Sequence, residues 1–436
     1  MRSTSDNANV GMTVRRKVRS GLLLSAVLTT SAHLSKIAVG FLLLKLVAVY
    51  LGVEGMGRLG NLMSAVLFLS LLAGGGIQNG VIKYVAEYKM RPRTLLRFLA
   101  DARVYSLSFC ILFMLAALAF QRPLARFLMG GDDYGWLIVV LGVAQFGFAF
   151  SNMVNGTANG LHQTKVYASI QIIGNLLTLP LAWWLISHHG FAGAALAMVA
   201  FYVSYSIPAF YFHVRSRLRR SVRWQKIHWP RLRRLCGFTL MAIVGSISVP
   251  VVEIVVRKLL TDMVGLEAAG LWQASIKLSS AYMGFFVVFL AAYFMPIVSA
   301  EQDRARIAGS VRRFMGLVMG LFFMGGLIFY LFRDYFIPLL LSRQFSGLTD
   351  FIQYQLIGDF LRIATYVIGF VVVAKAATRL YVVLEIGQGV LFCLISVLAL
   401  HKGWGLQGVF MAHVAMNVIY FLTSVIGFYF YSRRTV

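Results

Sequence analysis

Apolar residues in this chain come in long blocks broken by short polar or basic segments. The blocks are of the roughly 17–25 residues that a helix needs to cross a bilayer, some longer. They predict about twelve spanning helices, centred on 21–49, 60–85, 102–121, 135–157, 166–187, 191–212, 235–260, 268–298, 311–331, 351–376, 380–400 and 406–430. The first block follows Arg15, Arg16, Lys17 and Arg19, as a secretory signal would. A cleavable signal ends at a small-residue site after a short core. Here the apolar run continues past His33 and Lys36 to Tyr50, so it is expected to stay as the first span, with Met12 an alternative start.

Composition agrees with the pattern. Of 436 residues, 59% are hydrophobic and 13% charged, against about 25% charged in soluble domains. The expected fold class is an all-α integral membrane protein with almost no mass outside the bilayer. A net charge of +26 would point to nucleic acid in a soluble protein. In a polytopic one it points to basic loops on the cytoplasmic side, so no nucleic-acid partner is expected and membrane lipids surround the chain.

The loops support an even count. With a cytoplasmic N-terminus, the inner segments hold Arg15 to Arg19, then Lys89, Arg91, Arg93 and Arg97, then Lys165, the dense run from Arg215 to Arg234, then Arg304, Arg306, Arg312 and Arg313, then Arg379, Arg433 and Arg434. The outer loops carry fewer cations and most loop acids: Glu54, Asp132, Asp133, Asp262, Glu267, Asp334 and Asp350. Both termini are therefore expected in the cytoplasm.

A short repeat divides the chain. Lys45-Leu46 leads to Gly52-Val53-Glu54-Gly55-Met56-Gly57, and Lys258-Leu259 leads at the same spacing to Gly265-Leu266-Glu267-Ala268-Ala269-Gly270. Each stretch joins the first and second spans of a six-span half. Six is even, so the halves insert in the same sense, as parallel repeats about an axis along the membrane normal. The expected organisation is a tail at 1–20, a six-helix lobe at 21–212, a basic linker at 213–234, a second lobe at 235–430 and a tail at 431–436.

Enzyme constellations are missing. His188-His189 has no carboxylate at metal-ligand spacing, and no nucleophile elbow, Walker loop or Asp-rich motif occurs. Cys110, Cys236 and Cys393 show no paired spacing. No catalytic residue, metal or cofactor is expected. Gly74-Gly75-Gly76 lies inside a span and suggests a flexed helix or close packing, and Pro180 and Pro250 should bend theirs.

The unusual feature is charge inside the apolar blocks. Lys36, Lys45, Lys83, Arg257, Lys258, Lys277, Arg362 and Lys375 lie there with only Glu253, Asp359 and Glu385. A cation at the bilayer centre costs about 2.5–3.5 kcal/mol on insertion scales. Glu253 with Arg257, and Asp359 with Arg362, have helical pair spacing. Lys45, Lys83, Lys258 and Lys375 lie near span ends and have stems long enough to snorkel. Lys36 and Lys277 sit deeper and lack a helical acid partner. Eight cations against three acids favour an anionic substrate in a partly desolvated cavity. Gln78, Asn79, Asn152, Asn155, Gln171, Asn175, Gln273, Ser279 and Ser280 either meet sugar hydroxyls or join helices. Tyr84, Tyr88, Tyr282, Tyr293 and Tyr366 either stack on sugars or pack.

A specific resemblance then emerges. Gly75-Gly76-Ile77-Gln78-Asn79-Gly80-Val81-Ile82-Lys83-Tyr84-Val85-Ala86-Glu87-Tyr88 resembles a segment of the O-antigen translocase family. So do Phe238-Thr239-Leu240-Met241-Ala242 through Pro250 to Arg257-Lys258-Leu259-Leu260, and Leu271-Trp272-Gln273 with Ala281-Tyr282. A further match runs from Leu339-Leu340-Leu341-Ser342 through Gln355-Leu356-Ile357-Gly358-Asp359 to Ala374-Lys375-Ala376 and Arg379. The likeness covers most of residues 20–430. It implies the V-shaped two-bundle fold of the multidrug/oligosaccharidyl-lipid/polysaccharide exporters. It also implies a flippase for an undecaprenyl-pyrophosphate-linked oligosaccharide in the bacterial inner membrane, working by alternating access with ion antiport, alongside the polymerase and chain-length machinery of the same glycan. Lys36, Lys45, Lys83, Arg257, Lys258, Asp359 and Lys375 fall on matching segments. Together with Lys277 and Arg362, read from the buried charges, the eight cations are expected to form the substrate cavity, with Glu253, Asp359 and Glu385 for ion coupling. Ser280 stands where the resemblance suggests an acid, and Glu253 where it suggests an aromatic. The alternatives are drug export, which the cation excess disfavours, and a membrane glycosyltransferase or O-antigen polymerase. Such an enzyme would need a larger outer loop than the one around 332–350.

Overall fold

The computed structural model describes the backbone of residues 3–216, 229–375 and 377–433, and side chains from Val27 onward except at 217–232, 234, 241, 244, 245, 376, 378, 379 and 434–436. Arg15 to Arg19, Arg379, Arg434 and most of the basic run from Arg215 to Arg234 fall outside the described side chains. Among the described residues all regular structure is helical. In chain order the helices are α1 (Ser3–Leu72), α2 (Gln78–Tyr88), α3 (Pro92–Ala119), α4 (Gln121–Met129), α5 (Gly135–Gly160), α6 (Thr164–Val203), α7 (Ser206–Arg215) and α8 (Trp229–Met263). They continue as α9 (Leu266–Phe289), α10 (Met295–Ala300), α11 (Arg304–Leu331), α12 (Arg333–Leu340), α13 (Ile352–Ala374), α14 (Thr378–His401) and α15 (Gly405–Arg433).

Nine helical runs among the described residues are long and apolar enough to cross a membrane. One of them, Val27–Tyr88, has 62 residues. Straight, it would extend about 90 Å, three times the roughly 30 Å hydrocarbon core. Gly52, at φ 65° and ψ −165°, breaks it. Gly190, at φ 53° and ψ −126°, does the same in α6. Both angles suit glycine alone, since a Cβ is strained there. Pro180 and Pro250 lie inside α6 and α8, which continue past them; the dihedral break in α6 is at Gly190. Large apolar side chains such as Leu115, Leu176, Phe323, Val383 and Leu398 are exposed around the molecule, as a lipid-facing surface requires.

Two expected boundaries change. The block at 60–85 is one apolar stretch but two helices. α1 ends at Leu72, and Gly74, Gly75 and Gly76 all have positive φ before α2 begins. The block starting at 102 is part of a helix that begins ten residues earlier, at Pro92. Polar residues at its start hid it from the hydropathy pattern, although proline is at home in a first helical turn.

α1 is the organising element. It packs along α6 in its own half and along α8 and α9 in the other. The main core straddles the halves, with Val47, Met56 and Leu59 from α1, Val256 and Leu260 from α8, and Trp272 from α9. The two stretches singled out as a repeat meet here, and their contact is reciprocal. A Cβ added at Gly57 would lie 2.7 Å from the Leu266 carbonyl oxygen, and one at Gly270 would lie 2.0 Å from that of Val53. In the repeat, Gly57 corresponds to Gly270 and Val53 to Leu266. Lys45 Nζ donates to the Leu339 carbonyl on α12, 2.5 Å away. Its counterpart Lys258 stands 5.7 Å from the Phe127 ring on α4. Each half thus reaches onto the short helix of the other at the Gly52 end. At the Gly75 end the halves also touch: Tyr105 is 2.8 Å from Thr239, which donates to the Gly75 carbonyl at 2.6 Å.

The glycine contact gives a stability prediction. Gly270→Ala is expected to destabilise the protein by about 1–3 kcal/mol, the range for overpacking. Gly320→Ala, where a Cβ meets nothing within 4 Å, should not destabilise it. Thermal unfolding of the two variants in one detergent checks this, and equal midpoints would show that the crossing relaxes freely.

Candidate functional site

Between α1, α6 and α9 lies a cavity of about 290 Å³. Its walls are mostly apolar, among them Phe41, Leu44, Met63, Val66 and Phe201. The polar residues are Lys36, Tyr202, Lys277 and Ser280. The two lysines that sequence reasoning found hardest to explain therefore line one cavity, one from each half. Lys36 Nζ stands 5.7 Å from the centre of the Tyr202 ring, and among the described residues no ion pair engages it. Tyr202, the tyrosine in the cavity lining, was not among those singled out in the sequence.

Lys277 is not without an acid. Its Nζ lies 3.5 Å from Glu253 across the α8–α9 interface. Glu253 also accepts from Ser64 Oγ at 2.7 Å and faces Arg257 at 3.6 Å. Arg257 is fully buried and committed to its neighbours. Nε donates to Gln273 at 3.1 Å and Nη1 to Asn61 at 2.6 Å, with the guanidinium 5.7 Å from the Trp272 ring. Arg257 does not line the cavity; it joins α8 to α1 and α9, and Glu253 divides its charge between Arg257 and Lys277. The helical spacing of Glu253 and Arg257 was visible in sequence; the third partner, on another helix, was not.

A second cavity of 140 Å³ lies within the C-terminal half, between α8, α9, α13, α14 and α15. Glu253, Ser279, Ser280, Arg362, Glu385 and His413 are in its lining. Ser280 lines both cavities, and the Lys277–Glu253 pair connects them. Asp359 lies beside the second cavity with no exposed surface. It accepts from Ser279 Oγ at 2.6 Å, Tyr282 OH at 2.5 Å and Gln355 Nε2 at 2.9 Å. His413 Nε2 is 3.3 Å away and Arg362 3.9 Å. Gly358 makes room for this arrangement, since a Cβ there would meet the His413 ring at 2.3 Å. Asn417 donates to the His413 carbonyl at 2.8 Å. A buried carboxylate held by several donors and one titratable imidazole can exchange a proton or meet a small cation. His413 was missed by sequence reasoning; an imidazole in the middle of the 406–430 block was the available signal.

The other expected site residues lie elsewhere. Lys45 and Lys258 are at the Gly52 end, as described. Lys83 is exposed at the Gly75 end, 5.5 Å from the Tyr84 ring and 5.9 Å from that of Phe238. Lys375 donates to the Glu301 carbonyl at 2.5 Å, tying the end of α13 to the segment after α10. Among the polar side chains, Ser279 and Ser280 line cavities, while Asn152 donates to the Ser70 carbonyl and Asn175 to Ser35, joining helices. Tyr84 and Tyr88 stack on each other with ring centres 5.9 Å apart.

Comparison with known proteins gives the family and the fold. The profile of the polysaccharide biosynthesis protein family matches residues 22–302. The lipid III flippase of Escherichia coli K12 is 31% identical over 412 residues, covering 93% of this chain and 98% of that protein. The chain belongs to the polysaccharide biosynthesis protein family. The fold is that of the exporter superfamily named by the sequence resemblance. An inward-facing multidrug resistance transporter of the MATE family superimposes with a TM-score of 0.75 at 14% identity, covering 93% of this chain and 96% of that one. A lipid II flippase in an inward closed conformation superimposes with a TM-score of 0.72 at 13% identity, covering 93% and 87%. With nine long apolar helical runs among its described residues the chain is a multi-pass membrane protein, and the relatives it matches carry the names of flippases and transporters, the class the sequence pointed to.

Proposed function

We propose that this protein carries an undecaprenyl-pyrophosphate-linked oligosaccharide from the cytoplasmic to the periplasmic leaflet of the bacterial inner membrane by alternating access. One observation carries the reading: Lys36 and Lys277 converge on a single cavity in a chain 31% identical to a lipid III flippase. A pyrophosphate in a partly desolvated site interacts with ammonium groups far more strongly than in water. Lysine suits a travelling anion, because its ammonium is a mobile point charge on a flexible stem. The glycan would occupy the space beside Tyr202 and Ser280 while the prenyl chain stays in lipid. Arg362 would add positive charge at the second cavity.

Asp359 with His413, and Glu385 or Glu253 beside them, would take up the coupling ion and reset the carrier. Lys277 and Glu253 link that site to the substrate cavity, so protonation at one would alter the field at the other. Division of α1 at Gly52 and α6 at Gly190, together with α8, supports about twelve crossings. Two lobes at 21–212 and 235–430, joined by 213–234, would then place both termini in the cytoplasm. The polymerase and chain-length machinery of the same glycan are the natural neighbours of such a carrier.

Complementation tests the reading. Expressed in a bacterium lacking its own flippase for a lipid-linked glycan, this chain is expected to restore the surface glycan for at least one of several glycan types tried. Membrane-inserted protein without restoration of any of them would overturn the substrate class.

A further inference from the structure

A further cleft, apart from the two cavities, lies on the flank of the N-terminal half, between α3, α5 and α7. Its volume is 310 Å³, at the small end of the roughly 300–1,000 Å³ of ligand pockets. It is graded along its length. Phe146, Ala149 and Leu107 line one end, and Thr157, Gln163, His213 and Ser216 the other. From Leu99 to Cys110 on α3 it extends about 16 Å at 1.5 Å per residue. A shallower cleft shares Phe146 and Phe150 with it and continues over Ile207 and Phe210, which are 61% and 62% exposed. An apolar track thus leads from the pocket onto the lipid-facing surface.

Arg103 is the anomaly in this pocket. α3 begins at Pro92, with Arg91, Arg93 and Arg97 exposed around its first turns. Arg103 lies deeper, and its Nη2 is 3.4 Å from Nε2 of His213, itself a base. No carboxylate is among the residues lining the pocket. Asp101 is buried two residues away, but residues two apart on a helix do not share a face. A guanidinium inside a bilayer protein calls for an anion, and the apolar walls call for a hydrocarbon chain. Basic pockets between spanning helices on the cytoplasmic side bind anionic lipid headgroups.

We propose that this flank pocket binds an anionic phospholipid, its phosphate against Arg103 and one acyl chain along Leu107, Phe146 and Phe150. The proposal stands apart from the transport cycle, because the pocket shares no lining residue with the cavity of Lys36 and Lys277. The phosphate of the lipid decides the polar end, and the chain decides the apolar one, so a soluble phosphate would not suffice.

Native mass spectrometry of the purified full chain, delipidated and then given phosphatidylglycerol, phosphatidylcholine or undecaprenyl phosphate, tests it. The wild type is expected to retain phosphatidylglycerol over phosphatidylcholine by about 10-fold, an order-of-magnitude expectation for a basic headgroup site. Arg103→Gln should erase that preference, and Arg126→Gln, on an exposed side chain far along α4, should leave it intact. Leu107→Trp, at a half-exposed position, should fill the groove and lower retention of both phospholipids; it also decides the matter if Arg103→Gln fails to fold. Equal retention of the two phospholipids by the wild type, or unchanged retention by both pocket variants, would overturn the proposal. Stronger retention of undecaprenyl phosphate than of phosphatidylglycerol would overturn the choice of occupant.

Discussion

A Lys36→Ala protein is expected to reach the membrane in normal amount yet move its substrate about 30-fold more slowly or worse, since removing one partner of a desolvated charge pair costs about 2–5 kcal/mol. Lys36 has no ion-pair partner among the described residues, so its loss should leave no acid stranded and little reason to unfold. Its ammonium faces the Tyr202 ring and the cavity. Lys277→Ala should behave differently. It deprives Glu253 of one cation, but Arg257 at 3.6 Å and Ser64 at 2.7 Å remain. A smaller transport defect with a modest loss of stability is expected. Surface glycan in the complementation strain, set against the amount of monodisperse protein recovered in detergent, reads both quantities. Full transport by Lys36→Ala at normal expression would remove this residue from the mechanism.

Asp359→Ala should be the most damaging change to the folded state. It leaves Arg362 and His413 without their carboxylate and strands the donors of Ser279, Tyr282 and Gln355. Breaking a buried pair by removing one member costs about 3–5 kcal/mol. Asp359→Asn keeps an acceptor for Ser279 and Tyr282 and should fold better, while losing the charge. Thermal unfolding in detergent is expected to rank wild type above Asp359→Asn and Asp359→Asn above Asp359→Ala. If ion coupling resides here, Asp359→Asn should be folded but inactive in complementation. An active Asp359→Asn protein would move the coupling role elsewhere.

Much of this architecture is written in short-range terms. Apolar blocks report membrane helices because the bilayer demands internally bonded backbone over a fixed length. Lys36 and Lys277 stood out for the same reason: an ammonium has a known cost in hydrocarbon wherever its helix happens to pack. Other features depend on partners remote in sequence. Glu253 spaced four before Arg257 reads as a self-contained pair, and nothing local announces Lys277 or Ser64. Asp359 near Arg362 reads the same way, while His413 joins from another helix. Lys45 and Lys258 read as snorkelling cations near span ends, and nothing local announces that the two halves meet there. The start of α3 was misplaced because Arg93 and Arg97 lower hydropathy without interrupting the helix, and that hid Arg103 as an interior charge.

The reciprocal contact of Gly57 and Gly270 has a mechanical meaning. Backbones that touch directly, without side chains between them, form a fulcrum with almost no thickness. If the halves rock about it, an arm as long as the roughly 30 Å hydrocarbon core turns a tilt of about 10° into about 5 Å of travel at the far end. The Lys45–Leu339 bond and the Lys258–Phe127 contact lie close to that pivot, where leverage is least. The Tyr105–Thr239 link lies away from it at the Gly75 end, where the same tilt separates surfaces most. A hinge of this kind divides its own seals into a stiff set and a compliant set, and two glycines are enough to decide which is which.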